Sequence, residues 1–241
     1  MRLFPAIDIQ QGRCVRLRRG DFADETVFGD DPVEMAREWE RQGARFLHVV
    51  DLDGAREGAP RNFEVVARLA EAVSIPVELG GGIRSNADLM MVAESRVARV
   101  VIGTSAILDE SLVLSGVVAL GPRLVVAVDA EQGFVSTHGW QKRSKTPAIR
   151  LVRHLEELGI REVIYTDISR DGMMSGMNIE STEELARAAG VEIIASGGVT
   201  TLEDLKAVKK LEPLGVTGVI VGRALYEKRF TLQEALDVLG V

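Results

Sequence analysis

Asp8 and Asp129 each close a run of apolar, β-branched residues and stand 121 positions apart in the chain. Two carboxylates brought to one site can remove a proton from one atom and deliver one to another, provided their environments separate their pKa values. The same residue types also serve as metal ligands or as partners of a neighbouring arginine. A second set of residues suggests what the pair acts on. Gly80-Gly81-Gly82 with Gly103-Thr104, and Gly197-Gly198 with Gly222-Arg223, again follow apolar runs. Glycine at such places lets the backbone approach a phosphate and turn its N–H groups onto it. One glycine pair means little beyond a tight turn. Duplicated pairs imply a substrate gripped by two phosphates, one at each side of a site.

Other residues at run ends extend the candidate site. Asp51, Thr166, Asp167 and Asp171 close two further runs. His48 lies three positions before Asp51 and has two open readings, a substrate contact or a hydrogen-bonded interior histidine. Gly139-Trp140 falls in a loop, where an indole could stack on a flat heterocycle. Trp39 and His154 fall in helical stretches and read as packing and surface residues respectively. His48, His138 and His154 are scattered and no ligand cluster appears, so no metal is expected.

These residues must be positioned by elements with a regular alternation. Strand candidates are Leu3–Ile9, Phe46–Leu52, Pro76–Leu79, Val97–Gly103, Leu124–Asp129, Glu162–Ile168, Glu192–Ala195 and Gly218–Gly222. Such near-continuous apolar runs suit a parallel sheet buried on both faces. Helix-period stretches separate them. Asp31-Pro32 with Glu34 reads as an N-cap, a first-turn proline and a third-position carboxylate, with Gly43 closing that helix. Ser181 with Glu184 reads as a capping box, and Gly159 and Gly190 as C-terminal glycines. Eight βα units predict a (β/α)8 barrel, with a doubly wound sheet as the structural alternative.

An internal repeat favours the barrel. Gly81-Gly82 matches Gly197-Gly198, Asp88-Leu89 matches Asp204-Leu205 and Asp51 matches Asp167, all at an offset of 116 residues. Gly103 matches Gly222 at 119, and Asp8 matches Asp129 at 121. One domain over residues 1–241 is expected, built from two similar half-barrels near 1–120 and 121–241. In such a barrel the C-terminal strand ends form the active site. Every landmark of the repeat falls at one.

Composition limits the partners. The 241 residues are 46% hydrophobic and 27% charged, an ordinary globular balance, with a net charge of −7. That charge lacks the basic excess of a nucleic-acid binder. No apolar stretch reaches the ~18 residues of a membrane span. Met1 to Ile9 is too short and too interrupted, by Asp8, for a signal peptide. Cys14 is the single cysteine, which suits a reducing compartment and reads as a small buried hydrophobe. The expectation is a cytoplasmic monomer acting on a small bisphosphorylated molecule, with neither nucleic acid nor membrane as partner.

Taken in order, these residues resemble the phosphoribosylformimino-5-aminoimidazole carboxamide ribotide isomerases of histidine biosynthesis over essentially the whole chain. The most specific pieces are Phe4-Pro-Ala-Ile-Asp8, Gly12-Arg-Cys-Val-Arg16, His48-Val-Val-Asp-Leu-Asp-Gly54 and Leu79-Gly-Gly-Gly-Ile-Arg84. The second half adds Val128-Asp129, Thr137-His-Gly-Trp140, Tyr165-Thr-Asp-Ile-Ser-Arg-Asp-Gly172, Ala195-Ser-Gly-Gly-Val199 and Val221-Gly-Arg-Ala-Leu-Tyr226. The resemblance implies a cofactor-free Amadori rearrangement of an aminoaldose with a phosphate at each end. It makes Asp8 the base at ribose C2 and Asp129 the acid at the ring oxygen. The candidate substrate contacts are then Arg16, His48, Asp51, Arg84, Gly139, Trp140, Thr166 and Asp171, and the resemblance implies that the loops bearing Arg16 and Trp140 close over the substrate.

The chain departs from that pattern in three places. Lys142-Arg143-Ser144-Lys145 replaces a usual Glu-Thr-Ser, giving three cations in an active-site loop that read as solvated. Arg19 stands for a common Gln, and Ser95 for a helix-ending Gly. Three rivals remain. The cyclase subunit of imidazole glycerol phosphate synthase carries Ile-Pro-Cys-Leu-Asp where this chain has Pro5-Ala-Ile-Asp8. A dual isomerase would also turn over phosphoribosylanthranilate. A phosphate-ligand sensor would need neither Asp8 nor Asp129.

Overall fold

The eight apolar runs form parallel strands in a computed structural model that describes residues 1–18, 20–137, 140 and 142–241. The first half runs β1 (Arg2–Gln10), β2 (Arg13–Arg18), β3 (Asp21–Gly29), α1 (Pro32–Arg41), β4 (Leu47–Asp51), α2 (Leu52–Glu57) and α3 (Phe63–Ala72). It continues through β5 (Val77–Gly80), α4 (Asn86–Ala93), β6 (Arg99–Ile102), α5 (Thr104–Leu108) and α6 (Glu110–Leu120). The second half runs β7 (Leu124–Glu131), β8 (Phe134–Thr137), β9 (Lys142–Pro147), α7 (Ala148–Glu157), β10 (Glu162–Asp167) and α8 (Ile179–Ala188). It ends with β11 (Glu192–Ser196), α9 (Leu202–Lys209), β12 (Val216–Val221), α10 (Arg223–Tyr226) and α11 (Leu232–Leu239).

Among the described residues, β1, β4, β5, β6, β7, β10, β11 and β12 pair in parallel in that order, and β12 returns to β1. The sheet is closed, so the doubly wound alternative is excluded: that fold leaves two edges, and here every barrel strand has a partner on both sides. The architecture is a (β/α)8 barrel. Its main core lies between strands and helices, with Ile7, Leu47, Val126 and Leu205 fully buried there. A smaller cluster of Phe4, Ala6, Val101, Val125, Ile164, Ile194 and Ile220 fills the barrel itself. These come from alternate positions along each strand, as inward-facing residues must. No helix of the described residues is long and apolar enough to cross a membrane.

Two hairpins were not legible in the sequence. β2 and β3 pair antiparallel and extend β1, and β8 and β9 do the same beyond β7. Lys142, Arg143 and Lys145 therefore lie on a strand rather than in the expected loop. All three are exposed, and Arg143 reaches Gln132 at 3.2 Å and crosses the Phe134 ring at 5.2 Å. Their side chains are polar and outward on a short edge strand, so no apolar alternation announced it.

The expected caps hold with two corrections. Asp31 caps α1 through Val33 N, with Pro32 at its first position. The residue capping α8 is Asn178, not Ser181, which sits one turn inside the helix and hydrogen-bonds Tyr165 Oη at 2.7 Å. Gly159 has φ 98°, as a helix-ending glycine should, whereas Gly190 follows an extended Ala189 and its own φ is not positive. Ser95 substitutes for glycine after α4 by bonding Val92 O and receiving Val97 N.

Asp51 and Asp167 hold the loops behind the barrel mouth. Asp51 accepts from Gly54 N, Arg61 N, Asn62 N and Asn62 Nδ2, and it is 1% exposed. Asp167 accepts from Ser169 N, Ser169 Oγ and Asn178 Nδ2. Asn62 and Asn178 stand at the same 116-residue offset as the two aspartates. The capping boxes of Ser85 with Asp88 and of Thr201 with Asp204 repeat at it too. Hydrogen bonds to a charged acceptor contribute about 1.5–3 kcal/mol each, and the donors left behind would be buried. Asp51→Ala is therefore expected to lower unfolding stability by about 3 kcal/mol, read as a drop in the urea midpoint; an unchanged midpoint would mean that water replaces the carboxylate.

Candidate active site

The C-terminal strand ends surround one continuous mouth. Asp8 and Asp129, contributed by strands on opposite sides of the barrel, both line it, with His48, Val50, Thr166, Ser196 and Ile220. The apolar interior cluster forms its floor. Asp8 is turned inward at the end of β1, where Val15 of β2 lies opposite it. That pairing brings the next residue, Arg16, over the site, and Arg16 Nη1 meets Asp8 Oδ2 at 2.6 Å. The arginine partner foreseen for an aspartate thus exists inside the site rather than in place of it.

Arg16 sits at the centre of the second half's glycine cradle. Its guanidinium lies 5.6 Å from the Tyr226 ring centroid and directly against Gly222, where any Cβ would collide with it. Burial acts to lower the Arg16 pKa, but Asp8, Tyr226 and Asp171 outweigh that and raise it, so the cation persists. Gly197, Gly198, Gly222 and Arg223 line this side together with Asp8, Arg16 and Asp171. Arg223 is itself paired to Glu227 and donates to Gly172 O at 3.0 Å.

The first half's cradle lies on the other side of the same mouth, with Gly81, Gly82, Gly103, Thr104 and Ser105. Gly103 and Gly222 share one unusual backbone conformation, φ −118° and ψ −101° against φ −108° and ψ −103°. Gly81 and Gly197 have φ 105° and 88°. A side chain at Gly81 would run into the Asp51 carbonyl, and one at Gly197 would stand 2.7 Å from the Asp167 carbonyl. The aspartate clamps and the cradles are therefore single units, repeated once around the barrel.

Asp129 is in register with Thr166, and its carboxylate hydrogen-bonds the Thr166 and Trp140 side chains. Burial raises its pKa above the usual carboxylate range, and those two hydrogen bonds and the His48 charge only partly oppose this. The Trp140 indole packs against Gly20, so the tips of the β2–β3 and β8–β9 hairpins meet over the mouth. Phe22, also at the mouth, lies under the Arg56 guanidinium at 5.2 Å. Arg84 lines the rim and donates to Ala55 O at 2.8 Å.

Asp171, in the loop after β10, faces both cradles. Burial first, then Asp8 and Asp129, push its pKa up to about 6 against the pull of Arg16 and His48. A carboxyl that binds its proton more tightly when folded costs stability as pH rises from 3.8 to about 6. Asp171→Asn should flatten that decline, narrowing the fall in Tm between pH 4 and pH 7. Parallel Tm curves for variant and parent would show that Asp171 titrates normally.

Of the sequence-derived site residues, the structure brings together Asp8, Arg16, His48, both cradles, Arg84, Trp140, Thr166 and Asp171. Asp51 is corrected: its oxygens are spent on loop backbone and Asn62, and it does not line the mouth. Gly139, His138 and Arg19 lie outside the described residues. Gly20, Phe22 and Ser196 were missed; only Ser196, just before Gly197 at a strand end, carried a signal. Cys14 is buried, and burial pushes its thiol pKa up to about 12, so it is inert. Among the described residues no group of three or more His, Cys, Asp or Glu could hold a metal ion.

Residues 2–231 match the model of a protein family described as histidine biosynthesis protein. The chain is 49% identical over 238 residues to the 1-(5-phosphoribosyl)-5-((5-phosphoribosylamino)methylideneamino) imidazole-4-carboxamide isomerase of Rubrobacter xylanophilus, covering 99% of this chain and 96% of that one. It is 48% identical to the enzyme of the same name from Moorella thermoacetica, over 99% and 98% of the two chains. The corresponding enzyme of Oceanobacillus iheyensis is 45% identical over 98% of each.

Proposed function

The chain belongs to the histidine biosynthesis protein family, and on that premise we propose that it is an aldose–ketose isomerase acting on the substrate named by these relatives. The reaction is an Amadori rearrangement of an aminoaldose with a phosphate at each end. The observation that carries the reading is the pair of carboxylates with opposite surroundings at one mouth. Asp8 is ion-paired to Arg16, and Asp129 is buried with a raised pKa.

Each carboxylate has one step. Asp129 donates its proton to the ribose ring oxygen, the C1–oxygen bond breaks, and the amine lone pair forms the iminium at C1. Asp8 takes the C2 proton, and its electron pair neutralises the iminium to give the enolamine. That species becomes the ketone as the C2 hydroxyl proton is lost and C1 gains one. The substrate keeps all its atoms, and one proton has passed from Asp129 to Asp8, restored by exchange with solvent. Arg16 holds the Asp8 carboxylate in place at 2.6 Å, and burial favours the protonated form that Asp129 needs as an acid. The two hairpins, one carrying Arg16 and the other Trp140, exclude water above the reacting carbons.

The two cradles hold the two phosphates. Val at Gly198 or Gly82 should raise KM by roughly 10- to 100-fold, as expected when backbone donors worth about 1.5–3 kcal/mol to an anion are displaced. An unchanged KM in both variants would remove the two-phosphate reading. Asp8, Asp129 and both cradles come from one chain, so the reading needs no second copy, and the free thiol of Cys14 supports a cytoplasmic setting.

The deciding experiment is turnover of the histidine-pathway aminoaldose by purified protein treated with chelator, with phosphoribosylanthranilate assayed beside it. Turnover of the first alone establishes a dedicated isomerase, and turnover of both a dual one. Binding without turnover of either would make the chain a phosphate-ligand sensor.

A further inference from the structure

Beneath the mouth, an ionic layer crosses the barrel interior, and one end of it touches the site. Glu78 lies in register with His48 on β4 and with Arg99 on β6. One Glu78 oxygen meets His48 Nδ1 at 2.7 Å, and the other pairs with Arg99. Arg99 also pairs with Glu162, which pairs with Arg2. Glu78 is 1% exposed, so its carboxylate is fixed by partners on both sides and has no solvent alternative.

Burial works to raise the Glu78 pKa, but the hydrogen bond and charge of His48, with the charge of Arg99, lower it overall. An ionised carboxylate can only accept hydrogen bonds. His48 Nδ1 must therefore be the donor, and the proton of the neutral ring resides there. His48 lines the mouth while its Nδ1 is turned away toward Glu78. Nε2 remains for the mouth, where the charges of Asp129 and Asp171 also act on the ring.

We infer that Glu78 is a positioning residue for the isomerisation: it holds His48 as the Nδ1–H tautomer, so that Nε2 accepts a hydrogen bond from a ribose hydroxyl of the substrate. Glu78 never reaches the substrate and acts only through the imidazole. This rests on the isomerase reading for its consequence, but the tautomer itself does not. Nothing in the sequence pointed to Glu78, which reads as one polar residue in a short apolar strand.

Two measurements test it. In the wild-type protein, nitrogen NMR of His48 at a pH where the ring is neutral should find the proton on Nδ1; a proton on Nε2 overturns the inference. Independently, Glu78→Gln should lower kcat roughly 10- to 100-fold, the range typical for groups that orient a functional imidazole, with KM little changed. In a His48→Ala background the same substitution should cost less than about threefold further, because its route of action is gone. Equal losses in both backgrounds would mean that Glu78 serves the fold alone and would overturn the inference. If Glu78→Gln does not fold, the wild-type tautomer decides by itself. If the wild-type protein turns over no aminoaldose, the isomerase reading fails, while the NMR result still stands for or against the Glu78–His48 pair.

Discussion

Asp129→Asn should lower kcat for the aminoaldose by roughly 10²–10⁴-fold, the range expected when a principal general acid is removed. Asparagine fills the same volume and still accepts from Thr166 and Trp140, the two side chains that hydrogen-bond the carboxylate. What it cannot do is give up a carboxyl proton to the ring oxygen. KM should therefore change little, because an interaction made only in the transition state has been lost. The pH profile should change as well. The parent loses its acid as pH rises through the raised Asp129 pKa, so its rate falls on that side, and the variant should show no such limb from this group. A variant retaining turnover within about threefold of the parent would take the ring-opening role away from Asp129.

The matching loss at Asp8 should be of similar size and separable from it. Asp8→Asn removes the base at C2 and also the partner that Arg16 holds at 2.6 Å. Removing one member of a buried pair leaves an uncompensated cation, which is costly unless another carboxylate takes it. Asp171 faces the same guanidinium, so Arg16 should turn toward it and the variant should remain folded. Turnover should fall roughly 10²–10⁴-fold. Exchange of the C2 hydrogen with solvent deuterium, followed directly on the bound sugar, should disappear. Undiminished C2 exchange in Asp8→Asn would move the base elsewhere, with Asp171 the first candidate on position.

Much of this site could be located before any coordinates. Asp8 and Asp129 end apolar runs, and a parallel strand buried on both faces betrays itself by composition alone. The cradles were legible for a related reason: glycine pairs recurring at a fixed offset mark a backbone need rather than a side-chain one. Asp51 belonged to that same pattern and misled. Its repetition reflects the clamp behind each cradle, and a carboxylate serving loop backbone looks, in sequence, like one serving a ligand.

The sequence by itself determined the eight barrel strands, their order of chemistry-bearing ends and the duplication that makes two cradles. These depend on local periodicity and on residue types, which survive without knowing any partner. Tertiary structure alone decided that Arg16 pairs with Asp8, that Trp140 meets Gly20, that Asn178 rather than Ser181 caps α8, and that Glu78 reaches His48. The Arg16, Trp140 and Glu78 contacts are set by strand register or hairpin geometry between distant segments, and the α8 cap by the hydrogen bond that ties Asn178 to Asp167. Register moves a side chain from one face of a strand to the other with a single-residue slip, and no local composition records it.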